Sequence, residues 1–469
     1  MRSVFWVVLA SILLFSGCKT LEPEPRPPLP IIIPDHFSMD QGGTETMESW
    51  WQIFGSDELN ALIQDALNNN FDLTTLAAKT AQAEALVKKE NAAFFPDLGF
   101  SAGGQKRGTQ VKQGGKRAVF DDTHSWQGTL SGSYTADVWG ETAAGKQARM
   151  ASLKAAELAF RTAALEVTAG IAETWVDIIS VRNKNRILDH QIQINQTLLK
   201  LQRLRFVNGK ANALDVSQQR EALAEASSQV PLLEKQERLL LNHLAFLSGK
   251  TQVDPLQVTT PLLPEPVPLP RVGIPSELLK NRPDIQAARM RLSSALWEVT
   301  AARADLLPTF NLTAQALFSS GTLDLLFQNW VATLAASIAG PLVDGGLRRA
   351  ELDRVQAVVD ETVSVYARTI AQAIFEVEDL LVTLQKQATY IRLLEEELEV
   401  VRLTLKDARV QYQNGKSSYL AYLIAWTSIE RLERQLVGER ATLVKEQIKL
   451  YRSLGWTMVP ELKYIRDVR

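Results

Sequence analysis

Cysteine is almost absent from this 469-residue chain: there is one, Cys18, so no internal disulfide can brace the fold. Histidine is nearly as sparse. His36, His124, His190 and His243 are scattered without metal-ligand spacing, which leaves a structural zinc site without support. Charge of one sign is lacking too: 51 basic and 53 acidic residues give a net charge of -2, and no broad field for nucleic acid. After residue 17 no apolar run is long enough for a spanning helix, so any membrane crossing must be made by a barrel. Phosphate-loop signals fail as well. Gly249-Lys250-Thr251 and Gly415-Lys416-Ser417 echo the end of such a loop, but Leu244 and Val410 stand where its first glycine is required. The sequence therefore reads as a non-enzyme that needs no metal and no cofactor.

What is present begins with an export signal over residues 1–17. Arg2 supplies the positive start, Val4 to Phe15 the apolar stretch, and Ser16-Gly17 the small residues before Cys18. The run Phe15-Ser16-Gly17-Cys18 resembles a bacterial lipobox, with Phe15 in place of the usual Leu. That resemblance implies a covalent lipid on Cys18, and Lys19 after the cysteine implies sorting to the outer membrane. Two or more acyl chains anchor stably where one binds marginally, at about 0.8 kcal/mol per buried methylene. Residues 18–55 form a lipidated tether, proline-rich from Glu22 to Pro34 and hence extended.

The remainder is written twice. Asp72, Ala83, Val87, Ala92 and Pro96 recur as Asp284, Ala295, Val299, Ala304 and Pro308. Arg203, Asn208, Gly209, Lys210, Leu214 and Gly249 return as Arg409, Asn414, Gly415, Lys416, Leu420 and Gly455. The expected organisation is a first repeat over 56–254, a proline-rich strap over 255–275, a second repeat over 276–456 and a tail over 457–469.

Each repeat predicts a helix, two strands and a long helical hairpin. Ser56 to Ala93 is rich in good helix formers. Period-two alternation marks strands at about 97–105 and 125–137, then at about 309–318 and 329–340. One face of each carries Leu, Phe, Trp and Ala, the other Gln, Thr, Ser and Asn, as lipid outside and water inside require. Alternation alone suits a half-buried hairpin of a soluble domain equally; the lipoprotein signal favours the bilayer. The polar stretches Lys106 to Thr123 and Ser319 to Gln328 read as loops. Four strands cannot close a barrel, since the smallest use about eight, so the chain must oligomerise. A trimer would supply about twelve strands, a number the sequence does not itself fix.

Thr142 to Phe206 and Leu347 to Tyr412 contain no proline, and each predicts a helix near 100 Å long at about 1.5 Å per residue. Ile391, Leu394, Leu398, Val401, Leu405, Ala408 and Tyr412 step by threes and fours, a coiled-coil seam. Asn208-Gly209-Lys210 and Asn414-Gly415-Lys416 reverse the chain into returning helices, about 213–247 and 420–454, the first interrupted by Pro231.

In this order Cys18, Trp50-Trp51-Gln52-Ile53-Phe54, Asn70-Phe71-Asp72-Leu73, Phe95-Pro96, Asp137-Val138-Trp139-Gly140, Arg282-Pro283-Asp284-Ile285, Leu307-Pro308, Val343-Asp344-Gly345-Gly346 and the hairpin turns make the chain resemble the TolC-like outer-membrane efflux family, lipoprotein branch. The resemblance implies a mixed α and transmembrane β fold, internally duplicated: a trimeric twelve-stranded β-barrel, four strands per subunit, continued by a long α-helical coiled-coil tunnel in the periplasm. It implies the outer-membrane channel of a tripartite efflux pump, passively conducting small molecules, with a periplasmic adaptor and an inner-membrane RND-type pump as partners. Asn208, Gly209, Lys210, Leu214, Asn414, Gly415, Lys416 and Leu420 would meet the adaptor. Asp215, Tyr419 and Tyr422 would stand at the periplasmic aperture, Asp215 as one carboxylate of a ring of three or as a cap on its helix. Where the family often has acidic residues after the second turn, this chain has Tyr419-Leu420-Ala421-Tyr422-Leu423-Ile424 with no carboxylate, and Tyr419 or Tyr422 would narrow the mouth by bulk and hydroxyl contacts instead. Two other readings share parts of this pattern, the duct of a type I protein-secretion system and a periplasmic coiled-coil scaffold lipoprotein. Trp50-Trp51 is expected to anchor the N-terminal segment against the helices.

Overall fold

A computed structural model describes residues 21–38, 49–111, 119–252, 258–267 and 272–455. Cys18, the signal and the tail lie outside them. The elements confirm the duplication by their lengths. Helix α2 (Phe71–Ala92) and helix α5 (Pro283–Ala304) have 22 residues each. Helices α3 (Glu141–Val207) and α6 (Leu347–Gln413) have 67 each, and α4 (Ala213–Leu247) and α7 (Tyr419–Ser453) have 35 each. The repeats are nonetheless not the compact units. Among the described residues one unit takes 80–156 from the first repeat and 287–367 from the second, with the tether up to residue 30; the other takes those between 31 and 79, between 157 and 286, and from 368 to 455.

The first of these units carries a single antiparallel sheet in the order β1 (Asp97–Val111), β2 (Val119–Ala136), β3 (Thr309–Ser320), β4 (Trp330–Ala339). Its middle ladder, β2 on β3, joins the two repeats. β1 and β2 run well past their expected ends, pairing Lys106 with His124 and Arg107 with Thr123 in a stretch expected to be loop. The reason is that ladder bonds need only backbone: polar side chains such as Gln105 and Asp122 hide a strand from a search for alternation without weakening it. Lys106 and Asp122 pair at 3.0 Å across this ribbon. Below the sheet Trp139 donates its indole N–H to the Pro308 carbonyl at 2.7 Å, and the Asp137 carboxylate accepts from the backbone N–H groups of Thr142 and Ala143 where α3 begins.

In the second unit the helix expected over 56–93 starts as α1 (Asp57–Asn69), capped by Ser56, and stops at Asn70. Asn70 ends one helix and opens the next: its side-chain oxygen accepts from Asp72 and Leu73, while its amide donates to the Leu247 carbonyl at 2.8 Å. Trp50 is fully buried, stacked on Tyr451 of α7 with the ring planes 7° apart, so the Trp-Trp pair does anchor the N-terminal segment. The strap is fastened by Glu58 of α1. Its carboxylate accepts from Trp175, Thr259 and Thr260; burial would raise its pKa, but these bonds together outweigh burial and lower it. Helix α4 passes through Pro231 unbroken. The α6 seam is buried at Ile391, Leu394 and Leu398 as its spacing requires. Among the described residues no helix is long and apolar enough to cross a membrane.

Candidate functional site

The sheet has two chemically different faces. Opposed residues in a ladder share a face, and the register sets Phe100 beside Leu130 and Ala316, and Ala316 beside Ala332. Leu98, Phe100, Trp126, Leu130, Leu312, Leu334 and Ile338 are all exposed on it. The opposite face sets Thr135 beside Asn311 and Ser337, and Ser131 beside Gln315 and Thr333, with Leu317, Val331, Ala335 and Ala339 as apolar members in β3 and β4. From Phe310 to Phe318 the apolar band runs about 27 Å along the strand at about 3.4 Å per residue, close to what a tilted strand needs to cross hydrocarbon. Trp126, Phe318, Phe327 and Trp330 gather at one end of it and Phe310 at the other. Gly104 is needed beneath Trp126, since a Cβ there would come 2.5 Å from the indole ring. Among the described residues β1 and β4 each have one strand neighbour, so both edges are open, and in lipid they must pair with other copies.

At the hairpin ends the two repeats make the same turn. Gly209 and Gly415 both have φ 68, in the left-handed region, and the following Lys210 and Lys416 donate N–H to the carbonyls of Arg205 and Gln411. Asn208 and Asn414 each return a side-chain amide to a carbonyl four residues back. Asn208, Gly209, Lys210, Leu214, Asn414, Gly415, Lys416 and Leu420 are all exposed.

The three residues expected at an aperture behave differently from one another. Asp215 is engaged in a capping box: its backbone N–H donates to Asn212 Oδ1 at 2.8 Å and its carboxylate accepts from the Asn212 N–H at 3.2 Å. Tyr419 points inward, 1% exposed, and its hydroxyl donates to Gln219 of α4. Burial raises its pKa far above the usual phenol value, with Tyr422 adding to the effect, so it stays a neutral donor. Tyr422 is half-buried, with its ring 6.3 Å from that of Tyr412 and nearly parallel to it. Arg205 of α3 lies over the other ring of this set, 4.6 Å from the Tyr412 centroid.

Behind the tyrosines lies a buried polar ladder that the sequence reading did not single out. On α3, Leu188, Asn195 and Gln202 follow one another at intervals of seven and are all buried. Gln202 bonds the Tyr412 hydroxyl at 3.2 Å; Gln219 donates to Asn195 Oδ1 at 2.8 Å; Asn195 donates to Glu430 Oε1 at 2.7 Å. Gln191 then donates to the Glu430 carbonyl at 3.2 Å and accepts from Arg434. The available signal was periodicity: Glu430 stands seven residues after Leu423, a polar residue in an apolar seam.

A sheet with a lipid face, a wet face and two open edges, on a chain with paired helical hairpins, defines an oligomeric outer-membrane channel. The outer membrane efflux protein family model matches residues 62–250 and 274–456, and the chain belongs to that family. It is 31% identical over 425 residues, 90% of each chain, to the pyoverdine export outer membrane protein OpmQ of Pseudomonas aeruginosa. It is 28% identical over 473 residues, 97% of each, to the toluene efflux pump outer membrane protein TtgF of Pseudomonas putida. The solved structure of CusC superposes with a TM-score of 0.82 at 25% identity, covering 93% of this chain and 100% of that one. The chain is thus the outer-membrane channel of a tripartite efflux system, a homotrimer whose three sheets close a twelve-stranded barrel, with a helical periplasmic tunnel and with an adaptor and an inner-membrane pump as partners. Family members are channels rather than enzymes.

Proposed function

We propose that this protein is a passive, water-filled exit duct with no catalytic activity and no cofactor, held to the membrane by a lipid on Cys18, and that the pump rather than the duct selects the cargo. The observation that carries the passive reading is the sheet: its wet face offers Thr, Ser, Asn and Gln, a lining that solvates many solutes and commits to none. The relatives' names point the same way, since they specify cargoes as different as pyoverdine, toluene and cations. The exposed turn residues Asn208 to Lys210 and Asn414 to Lys416, with Leu214 and Leu420, meet the adaptor. Tyr422 narrows the periplasmic mouth, and Tyr419 holds the two hairpins together from inside.

One preparation tests the reading. Protein made in cells fed labelled palmitate is purified and recorded in planar bilayers. Label on the protein and stepwise currents are expected; unlabelled protein would remove the lipid anchor, and a current-free, detergent-independent monomer would remove the duct.

A further inference from the structure

The polar ladder ends in a carboxyl group that the channel does not need for its walls. Glu430 is 5% exposed, on α7 of the second hairpin, and its nearest partner, Asn195 at 2.7 Å, belongs to α3 of the first. Two more contacts cross the same boundary: Gln191 of α3 holds the Glu430 carbonyl at 3.2 Å and takes a hydrogen bond from Arg434. Separating the hairpins means breaking all three and giving the carboxyl to water. We infer that Glu430 is a proton-operated clasp between the two hairpins: acid holds them together, and alkali favours their release.

The charged groups around it decide the sign. Burial is the largest influence and disfavours the carboxylate. The Asn195 amide and the Arg434 guanidinium favour it, as to a smaller degree does Trp426, whose indole makes no full hydrogen bond; Glu225 of α4 opposes it. The balance raises the pKa from 4.5 to about 7. The group borders a cavity of about 250 Å³ between α4 and α7, lined by Glu225, Gln229, Ser428, Glu430, Arg431 and Arg434. In the clasped state the proton is bound up to a pH near 7, whereas a carboxyl released to water holds it only to about 4.3. Lowering the pH through 7 therefore favours the clasped state, and by linkage the clasped-to-released ratio rises about tenfold per protomer between pH 8 and pH 6.

The consequence for conduction rests on the duct reading, so two measurements are paired. In planar bilayers, wild type should conduct less at pH 6 than at pH 8, while Glu430→Gln, which keeps the Asn195 bond and carries no charge, should stay at the acid level throughout. Separately, the infrared carboxyl band of 13C-glutamate-labelled trimer in detergent should contain a component titrating near pH 7 that Glu430→Gln lacks. A variant with the same pH response as wild type, or a Glu430 band titrating near 4, overturns the clasp. Absence of current in both proteins would count against the duct alone, and the infrared midpoint would still decide the clasp.

Discussion

The first and second hairpins have one backbone and two chemistries. Their turns agree to the degree, with φ 68 at Gly209 and at Gly415, and their returning helices have 35 residues each. Matching Leu214 with Leu420 sets exposed Ala213 against buried Tyr419, Asp215 against Ala421, and Val216 against Tyr422. Only the first returning helix has a capping box; Ser418, before the second, makes no side-chain cap bond. Duplication supplied two equal arms, and side-chain divergence made one arm the polar socket and the other the aromatic plug. A tunnel built from identical arms would have no such lock between them.

Three experiments sharpen or break this contrast. Tyr419→Ala, which empties a buried aromatic site, should destabilise by about 3–5 kcal/mol in chemical unfolding, and Ala213→Ser at the matching exposed position by under about 0.5 kcal/mol. Equal effects would show the arms to be equivalent. Charge reversal at the exposed turn lysines, Lys210→Glu and Lys416→Glu, should each weaken adaptor capture by roughly three- to tenfold, mostly through a slower on-rate that salt removes. Unchanged capture in both would take the turns out of the docking surface. Asp215→Ala should cost about 0.5–1 kcal/mol of stability through the lost capping box. If it also changes cation preference in planar bilayers, Asp215 faces the pore as well as capping its helix; unaltered preference leaves the cap alone.

Much of this architecture was legible because it rests on periodic or conformational signals. The strand at Trp330 to Ala339 announces itself by alternation, and the hairpin turns by a glycine where φ must be positive. Gly249 shows why such a glycine is fixed twice over: φ is 68, and a Cβ would lie 2.0 Å from the Asn69 carbonyl oxygen. Other features were hidden for physical reasons. The ribbon from Gln105 to Val111 has no apolar face, so only its backbone ladder reveals it. The break at Asn70 depended on a partner far along the chain, the Leu247 carbonyl. The Glu430 ladder was obscured because Asn195, Gln202 and Gln219 look solvent-facing until the facing helix is known. For Tyr419 the sequence offers bulk and a hydroxyl contact without naming the partner, which only the facing helix supplies, in Gln219.

The ladder between β2 and β3 also bears on how the protein is made. It pairs Ala136 with Phe310, so the sheet stays half built until most of the chain has emerged and crossed the inner membrane. Through that interval the β1–β2 ribbon carries a bare strand edge and an oily surface in water, which makes it a natural client for an escorting chaperone and the segment most at risk of pairing with the wrong neighbour.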